Sequence, residues 1–250
     1  MKSFLDRVAG LGGASWLCGF LSLGAVALAF PGPERSGAFM SHPALLLLTL
    51  ALAALMLYHG ARALLRRRFD SALLHLGCAC VLAGWLTGQL AARAATPEHP
   101  ATGAMVMVDG DVTDKLWAGE KLNVYAGRLP FAVKLEHFFV ERYERNAQDR
   151  DAGRDAPVRE YRSRVTITEP GRAPYVANVR VNHPACVRGY HIYQMSWGES
   201  ADVYGRPVTY TVLQFIRDPG LPLVYAGFAV LFAGILLFAV RIFRARGGAA

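Results

Sequence analysis

The sequence contains few of the residue patterns on which covalent or metal-based chemistry usually depends. Its 250 residues include only four cysteines, and none of them forms a CxxC or CxxCH pattern. A Walker loop, a GxSxG nucleophile elbow and an HExxH zinc motif are also missing, and no paired carboxylates stand in an obvious site context. These absences argue against the hydrolase, metalloprotease and disulfide-exchange classes that such motifs identify.

The cysteines themselves are poorly placed for a disulfide or a metal. Cys18, Cys78 and Cys80 lie in apolar runs, whereas Cys186 is alone in a polar segment and has no disulfide partner there. Cys78 and Cys80 are two residues apart, so on a helix their side chains point about 200° apart and do not easily share a metal. The simplest interpretation is that they are small apolar fillers.

Long apolar runs are what the sequence does contain. Charged residues make up only 18% of the chain and hydrophobic residues 53%. Four runs are long enough to cross about 30 Å of hydrocarbon: residues 11–30, 43–65, 71–92 and 221–243. The first is longer than a usual signal core and contains Trp16 and Cys18, so it is predicted to be a retained span. Residues 93–218 have ordinary globular composition.

The formal net charge of +8 reflects membrane topology more than nucleic-acid binding. The short loop at 31–42 carries only Arg35, against Glu34. By the positive-inside rule, both termini and the loop between spans two and three are therefore cytoplasmic, and residues 93–218 are outside, in the periplasm or its equivalent. The basic residues that flank the cytoplasmic span ends are Lys2, Arg7, Arg62, Arg66, Arg67, Arg68, Arg241, Arg244 and Arg246.

The exported segment shows alternating apolar and polar residues, which is typical of strands. The alternation is clearest at Phe131, Val133 and Leu135, at Val165 and Ile167, at Tyr175, Ala177, Val179 and Val181, and through residues 208–216. Glycine and proline are predicted to punctuate the strands at Pro130, Pro157, Pro170, Gly171, Pro174, Pro184, Gly189, Gly198 and Gly205. A densely charged stretch at 142–159 is predicted to be a solvated hairpin loop.

The predicted fold is therefore a membrane protein with four transmembrane α-helices, three N-terminal and one C-terminal. An exported all-β domain, an antiparallel sandwich or barrel-like sheet, lies between spans three and four. The domain boundaries are 1–92 for the three-span region and 93–218 for the extracytoplasmic domain, followed by 219–250 for the last helix and its basic tail.

His75 is the main candidate site residue. It lies inside the third span, about one and a half turns from the cytoplasmic end that the arginine cluster at 66–68 marks, or roughly 7 Å in at 1.5 Å per residue. Ionisable side chains inside transmembrane helices are costly and usually face a partner, a cavity or a ligand. Position alone leaves two interpretations open, and a helix-packing histidine is slightly favoured over a ligand.

Five ordered features give the chain a resemblance to the ResB (CcsB) proteins of system II cytochrome c biogenesis. The first is the layout of three spans, an exported β-rich domain and a final span. The others are local: LHLG at 74–77 with Gly84, YRS at 161–163 leading into a strand, VNHP at 181–184 followed by GYHIYQMS at 189–196, and DPGLPLVYAG at 218–227. Together they cover most of the chain, and their order is fairly specific.

The resemblance implies a ligand, haem b in transit, and two protein partners. One is a CcsA (ResC) subunit, a haem-handling membrane protein with a tryptophan-rich motif that this chain lacks, and the other is apocytochrome c. The resemblance implies that His75 is a haem axial ligand in a site shared with the CcsA partner, which reverses the preference above. Imidazole is a common axial ligand of haem iron. Arg66, Arg67 and Arg68 could pair with the propionates, although their topogenic role already explains them.

The implied function is that of a non-enzymatic accessory subunit in the inner membrane, contacting lipid but no nucleic acid. With its CcsA-like partner it would form a holocytochrome-c synthase complex that moves haem across the membrane and attaches it outside. No residue of this chain is predicted to be catalytic, and His183 and His191 are left out of the ligand set. The alternative is a membrane-anchored periplasmic scaffold or interaction protein with no haem role, in which His75 only packs.

Overall fold

The computed structural model describes residues 42–144, 156–202 and 204–247, with side chains as far as Arg244 in the last helix. Its contacts divide the chain into two units. The helical unit comprises the described residues of 1–90 and 219–250, and the sheet unit comprises those of 91–218. The predicted span at 11–30 and the middle of the predicted loop at 142–159 lie outside the described residues.

Three long apolar helices form the helical unit: α1 (Pro43–Leu65), α2 (Phe69–Arg93) and α3 (Leu221–Gly247). All three are long and apolar enough to cross a membrane, so they correspond to three of the four predicted spans. At the start of α1, Pro43 occupies the first turn, where its missing N–H costs nothing, and His42 Nδ1 accepts a hydrogen bond from the Ala44 N–H at 3.3 Å.

Glycines bring α2 and α3 into close contact. Gly77 and Gly84 are one heptad apart on α2, and so are Gly220, which directly precedes α3, and Gly227 within it. A Cβ added to Gly84 would lie 2.6 Å from Val224 Cγ2 and 2.8 Å from the Gly220 carbonyl oxygen. Membrane helices gain no hydrophobic energy by leaving lipid for each other, so small residues that let the backbones approach are favoured at such contacts.

An ion pair joins the same two helices at the other end of their contact. The Arg241 guanidinium of α3 donates to the Asp70 carboxylate at the start of α2 over 2.7 Å, and Asp70 is buried. A buried carboxylate requires such a partner, because taking an unpaired charge out of water is expensive. Arg241 therefore has a structural role in addition to the topogenic role that its position indicates.

The sheet unit is one eight-stranded antiparallel sheet. The strand order is β5-β4-β3-β2-β1-β8-β7-β6, so the first and last strands are neighbours, and the two edge strands also approach each other, which leaves the sheet nearly closed. The strands are β1 (Thr102–Val108), β2 (Val112–Ala118), β3 (Val124–Arg142), β4 (Val158–Thr168), β5 (Tyr175–Arg180), β6 (Ala185–Val187), β7 (Tyr190–Ala201) and β8 (Pro207–Arg217).

One face of the curled sheet makes the core of this unit. Phe131, Val133 and Leu135 of β3 are buried as their alternation predicts, and so are Val165 and Ile167 of β4. They pack with methionine, leucine and aromatic side chains from the other strands. The coarse prediction, a membrane protein with an antiparallel β domain, is therefore confirmed, whereas the count of four spans is not tested by the described residues.

Two predicted strand breaks are wrong. Pro130 lies inside β3, at an irregular stretch of the β2–β3 pairing between Thr113 and Lys115, where a residue without an N–H interrupts no regular ladder. Gly198 lies inside β7 directly opposite Tyr210, and a Cβ there would lie 2.5 Å from the tyrosine oxygen. The glycine therefore makes room for a ring and does not end the strand.

A small polar cluster is enclosed in the sheet unit. Ser163 Oγ donates to Gln194 Oε1 at 2.6 Å, and Gln194 Nε2 donates to Thr211 Oγ1 at 2.6 Å. All three residues are buried, and Ser163 and Gln194 belong to the sequence stretches that carry the family resemblance. Because each side chain satisfies the others, the cluster avoids the cost of unpaired buried polar groups.

Candidate functional site

A basic cavity lies in the helical unit where α1 ends and α2 begins. Its volume is about 240 Å³, and it is lined by His59, Arg62, Ala63, Arg66, Arg68, Ser71 and His75. The site therefore combines two imidazoles with three guanidinium groups. Among the sequence-predicted residues, His75, Arg66 and Arg68 line this cavity, whereas Arg67 is not among its lining residues.

The connection between the helices is a tight C-terminal cap. The Arg67 N–H bonds the Leu64 carbonyl and the Arg68 N–H bonds the Ala63 carbonyl, both at 2.9 Å, and Arg67 has a φ of 55°. This is the Schellman arrangement, in which a residue of left-handed conformation ends the helix and reverses the chain. The short reversal places the two helices antiparallel, with the arginines at the turn.

The protonation of His75 follows from its hydrogen bond. Its Nδ1 lies 2.7 Å from the backbone carbonyl oxygen of Ser71, one turn earlier on α2, and the Ser71 hydroxyl is 3.5 Å away. A carbonyl oxygen only accepts, so Nδ1 must carry the hydrogen. In the neutral ring the lone pair is then on Nε2, which is the arrangement of a histidine prepared to bind a metal through Nε2.

His59 is the residue that the sequence reasoning missed. Its ring on α1 lies beside that of His75, with 5.6 Å between centroids and 35° between planes. Both histidines are half-buried. A signal for this pairing exists in the sequence: His59 and His75 each lie eight residues from Arg67, so a tight antiparallel reversal brings them to the same depth.

Three arginines give the cavity its positive charge. Within the described part of the chain, no aspartate or glutamate forms an ion pair with Arg62, Arg66 or Arg68. Arg62 instead donates to the Tyr58 hydroxyl at 3.0 Å and lies 5.5 Å from the centre of its ring. The site is therefore electropositive and suited to an anionic group.

These features allow axial ligation but not a closed metal site. The described residues contain no cluster of three or more histidine, cysteine or carboxylate side chains able to enclose a metal ion. The cavity is also smaller than the roughly 300–1,000 Å³ of typical small-molecule pockets. The His75 imidazole and the arginines of the cavity could hold an axially ligated metal group that carries carboxylates, and the described residues form only a small part of the surface that such a group needs.

Four other described histidines have different surroundings. His42 caps α1, and His137 pairs with Asp109 at 2.5 Å between Nδ1 and Oδ2. His191 of β7 is stacked on Tyr193 with 6.2 Å between centroids, and it lies opposite Cys186 in the sheet. His183 follows β5 and lines a separate cavity of the sheet unit.

A known family matches most of the chain. Residues 34–207 match the model of the ResB-like family, which is more than two thirds of the sequence. Protein NrfI of Wolinella succinogenes is 30% identical over 109 residues, which are 43% of this chain. The chain spans about a tenth of the length of that relative. Among solved structures, Cytochrome c Heme Lyase CcmF matches 91% of this chain and 34% of its own, with 12% identity and a TM-score of 0.34.

Proposed function

Because the chain belongs to the ResB-like family of cytochrome c biogenesis proteins, we propose that it is an accessory subunit of a system II complex that exports and attaches haem. It is a multi-pass membrane protein with an antiparallel β domain. In the proposed function, the helical unit holds haem b during its passage, and the sheet unit serves the attachment step outside the membrane.

The observation that carries the proposal is the hydrogen bond of His75. A packing histidine is satisfied by any polar neighbour, but this ring donates from Nδ1 to a carbonyl of its own helix and leaves Nε2 as the basic nitrogen. The proposed role of His75 is axial ligand to the haem iron. Arg62, Arg66 and Arg68 line the same cavity and are the groups that would bind the propionates.

A second protein is part of the proposal. His75 supplies one axial nitrogen, and the cavity formed by the described residues is smaller than a typical small-molecule pocket. The proposed partner is a CcsA/ResC-like membrane protein that provides the remaining surface and the second axial ligand. Thioether formation on apocytochrome c would take place on that partner, which gives the complex, not this chain, the haem lyase activity.

The proposed orientation follows from charge. Arginines cluster at the α1–α2 connection and at the end of α3, which places both on the cytoplasmic side by the positive-inside rule. Residues 93–218 are then extracytoplasmic and both termini cytoplasmic. His75 would meet haem near the inner surface, and the sheet unit would meet apocytochrome c in the periplasm.

The absorption spectrum of the protein co-purified with a CcsA-like partner tests this function. The expected result is a Soret band in the wild type that is lost or shifted in His75→Ala, together with loss of c-type cytochrome maturation in cells. His191→Ala is the matched control and is expected to keep both, because that ring stacks on Tyr193 in the other unit. Equal haem in the wild type and in His75→Ala would refute the ligand assignment, and no haem in either would favour the envelope scaffold.

A further inference from the structure

A second basic cavity lies in the sheet unit. Its volume is about 450 Å³, and its lining combines three arginines, a histidine and an asparagine with two apolar residues: Arg162, Arg164, Arg180, His183, Asn178, Phe139 and Pro184. This volume is within the range of small-molecule pockets. No part of it belongs to the helical unit or to the His75 cavity.

The register of three strands builds the cavity wall. Phe139 of β3 lies opposite Arg162 of β4, and Arg162 lies opposite Arg180 of β5. Two residues along, Arg164 is opposite Asn178. Because side chains two residues apart share a face of a strand, these five residues form one continuous patch on the sheet, with four polar side chains beside the Phe139 ring.

The turn after β5 closes one end of the cavity. Asn182 has a φ of 62°, and the backbone groups of Arg180 and His183 bond each other at 3.0 and 3.3 Å. This tight turn carries His183 and Pro184 to the wall formed by Arg162 and Arg180. Two sequence stretches that the candidate site does not use, YRS at 161–163 and VNHP at 181–184, therefore meet here.

The positive charges of this wall repel one another when no anion is bound. Arg162 and Arg180 are direct cross-strand neighbours, and like charges in that position destabilise a sheet. Their ion pairs are long, at 3.8 Å from Arg162 to Glu141 and 3.7 Å from Arg180 to Glu160. Arg164 has no carboxylate oxygen within 4.0 Å among the described residues, and the carboxylate on which its charge acts at longer range is Glu136. A bound anion would relieve this repulsion.

We propose that this cavity is a second ligand site, which binds the carboxylates of a compact amphipathic dicarboxylate of the porphyrin class. Guanidinium forks match carboxylates in a bidentate manner, and the cavity offers three of them. Pro184 supplies apolar surface for the body of the ligand, together with the part of Phe139 that is not covered by the Arg162 guanidinium, which lies 4.8 Å from the ring centre. The site rests on residues of the sheet unit alone, whereas naming its ligand as haem rests on the proposed function.

The test uses the full-length protein carrying His75→Ala, so that the transmembrane site does not contribute. Fluorescence titration compares zinc protoporphyrin with its dimethyl ester, which has the same ring but no free carboxylates. The free acid is expected to bind at least about tenfold more tightly than the ester, a factor of the size expected for one charge-assisted hydrogen bond. Adding Arg164→Gln is expected to remove that preference and to leave ester binding unchanged.

Arg128→Gln in the same background is the matched control. Arg128 is an exposed arginine of the same sheet, 4.0 Å from Asp114 and outside the cavity, so its loss changes the net charge equally. Its binding curve is expected to coincide with that of the His75→Ala parent. Arg164→Lys keeps the charge without the fork and is expected to recover part of the preference.

Three results would overturn the proposal: equal affinity for acid and ester, equal effects of Arg164→Gln and Arg128→Gln, or displacement of the free acid by inorganic phosphate at millimolar concentration. The last would indicate a general anion site. None of these results alters the Soret comparison for His75. Conversely, an unchanged Soret band in His75→Ala would refute the proposed function and leave the acid-to-ester comparison valid.

Discussion

The two units are held together in opposite ways. In the helical unit, α2 and α3 meet through glycines, and an added Cβ at Gly77 or Gly84 would lie within 3 Å of the facing helix. In the sheet unit, large side chains such as Phe215 and Leu213 are fully buried. The helical contact is therefore sensitive to added atoms and the sheet core to removed atoms, because water drives only the second to bury apolar area.

The two basic cavities also differ in where their arginines come from. The helical cavity takes its arginines from the end of α1 and the chain reversal after it, and basic residues are ordinary beside the end of an apolar span. The sheet cavity takes its arginines from alternate positions of neighbouring strands, where nothing in the topology requires them. Arginine near a membrane boundary is therefore weak evidence for a ligand, and paired arginines across strands are stronger evidence.

The largest expected effect comes from removing a core ring of the sheet unit. Phe215→Ala is expected to lower the free energy of unfolding of that unit by about 3–5 kcal/mol, since the side chain is fully buried and leaves a cavity. Phe228→Ala on α3, 54% exposed, is the control and is expected to change stability by about 0.5 kcal/mol or less. Amide hydrogen exchange measures the stability of each unit separately. Similar losses of stability in Phe215→Ala and Phe228→Ala would contradict the contrast between the two units.

The second-largest expected effect comes from adding a side chain at a helix contact, which should lower the stability of the helical unit. Gly84→Leu is expected to cost about 1–3 kcal/mol or more, because its Cβ would already meet Val224 and the Gly220 carbonyl. Ala54→Leu on α1 makes a similar enlargement at an exposed position and should have little effect. Thermal unfolding in detergent measures both, and a Gly84→Leu protein as stable as Ala54→Leu would show that the glycine contact is not tight.

Ion pairs should show a smaller contrast between the units. Arg241→Gln leaves the buried Asp70 carboxylate without its 2.7 Å partner and is expected to cost about 1–3 kcal/mol. Arg128→Gln removes an exposed pair at 4.0 Å and should cost about 0–1 kcal/mol. If adding Asp70→Asn to Arg241→Gln restored no stability, the buried charge would not be the cause of the loss.

The smallest expected effect is a titration shift at the sheet surface. The Thr166 hydroxyl donates to the Glu136 carboxylate at 2.7 Å and the Lys134 ammonium at 3.1 Å, and together they lower the pKa of Glu136 below its ordinary value. Because the pKa of Glu136 is lower in the folded protein than in the unfolded chain, the ionised carboxylate stabilises the fold at pH values above the pKa of the unfolded state. This contribution is lost as the pH falls through the pKa of the folded state. Thr166→Val should raise the pKa of Glu136 towards the ordinary value, which carboxyl NMR titration measures; a lower or unchanged pKa would contradict this.

The helices were the most predictable part of the molecule. The bounds of α1 coincide with the predicted run at 43–65, and α2 and α3 extend only a few residues beyond theirs. Hydropathy succeeds here because a span must be apolar over its whole length. The strands were predicted from alternation, but Pro130 and Gly198 misled the reasoning, since their tolerance depends on the partner strand at that register.

The site was predictable only in part. His75 stood out because an ionisable residue within an apolar run is conspicuous without any structure. His59 and Arg62 have the same chemistry but lie near a span end, where polar residues are ordinary. Only the packing of α1 against α2 shows that the rings of His59 and His75 are neighbours.

The sequence by itself determined the elements that are governed by local rules: the three described apolar helices, the basic residues at their ends, the alternating strands and the unusual position of His75. The tertiary structure alone decided which glycines touch, that Asp70 meets Arg241, and that arginines from β4 and β5 face each other beside Phe139. The physical reason is the distance along the chain over which each rule acts. Hydropathy and alternation act within a few residues, whereas helix contacts and strand register join residues far apart in the chain, and a single sequence carries no local record of those pairings.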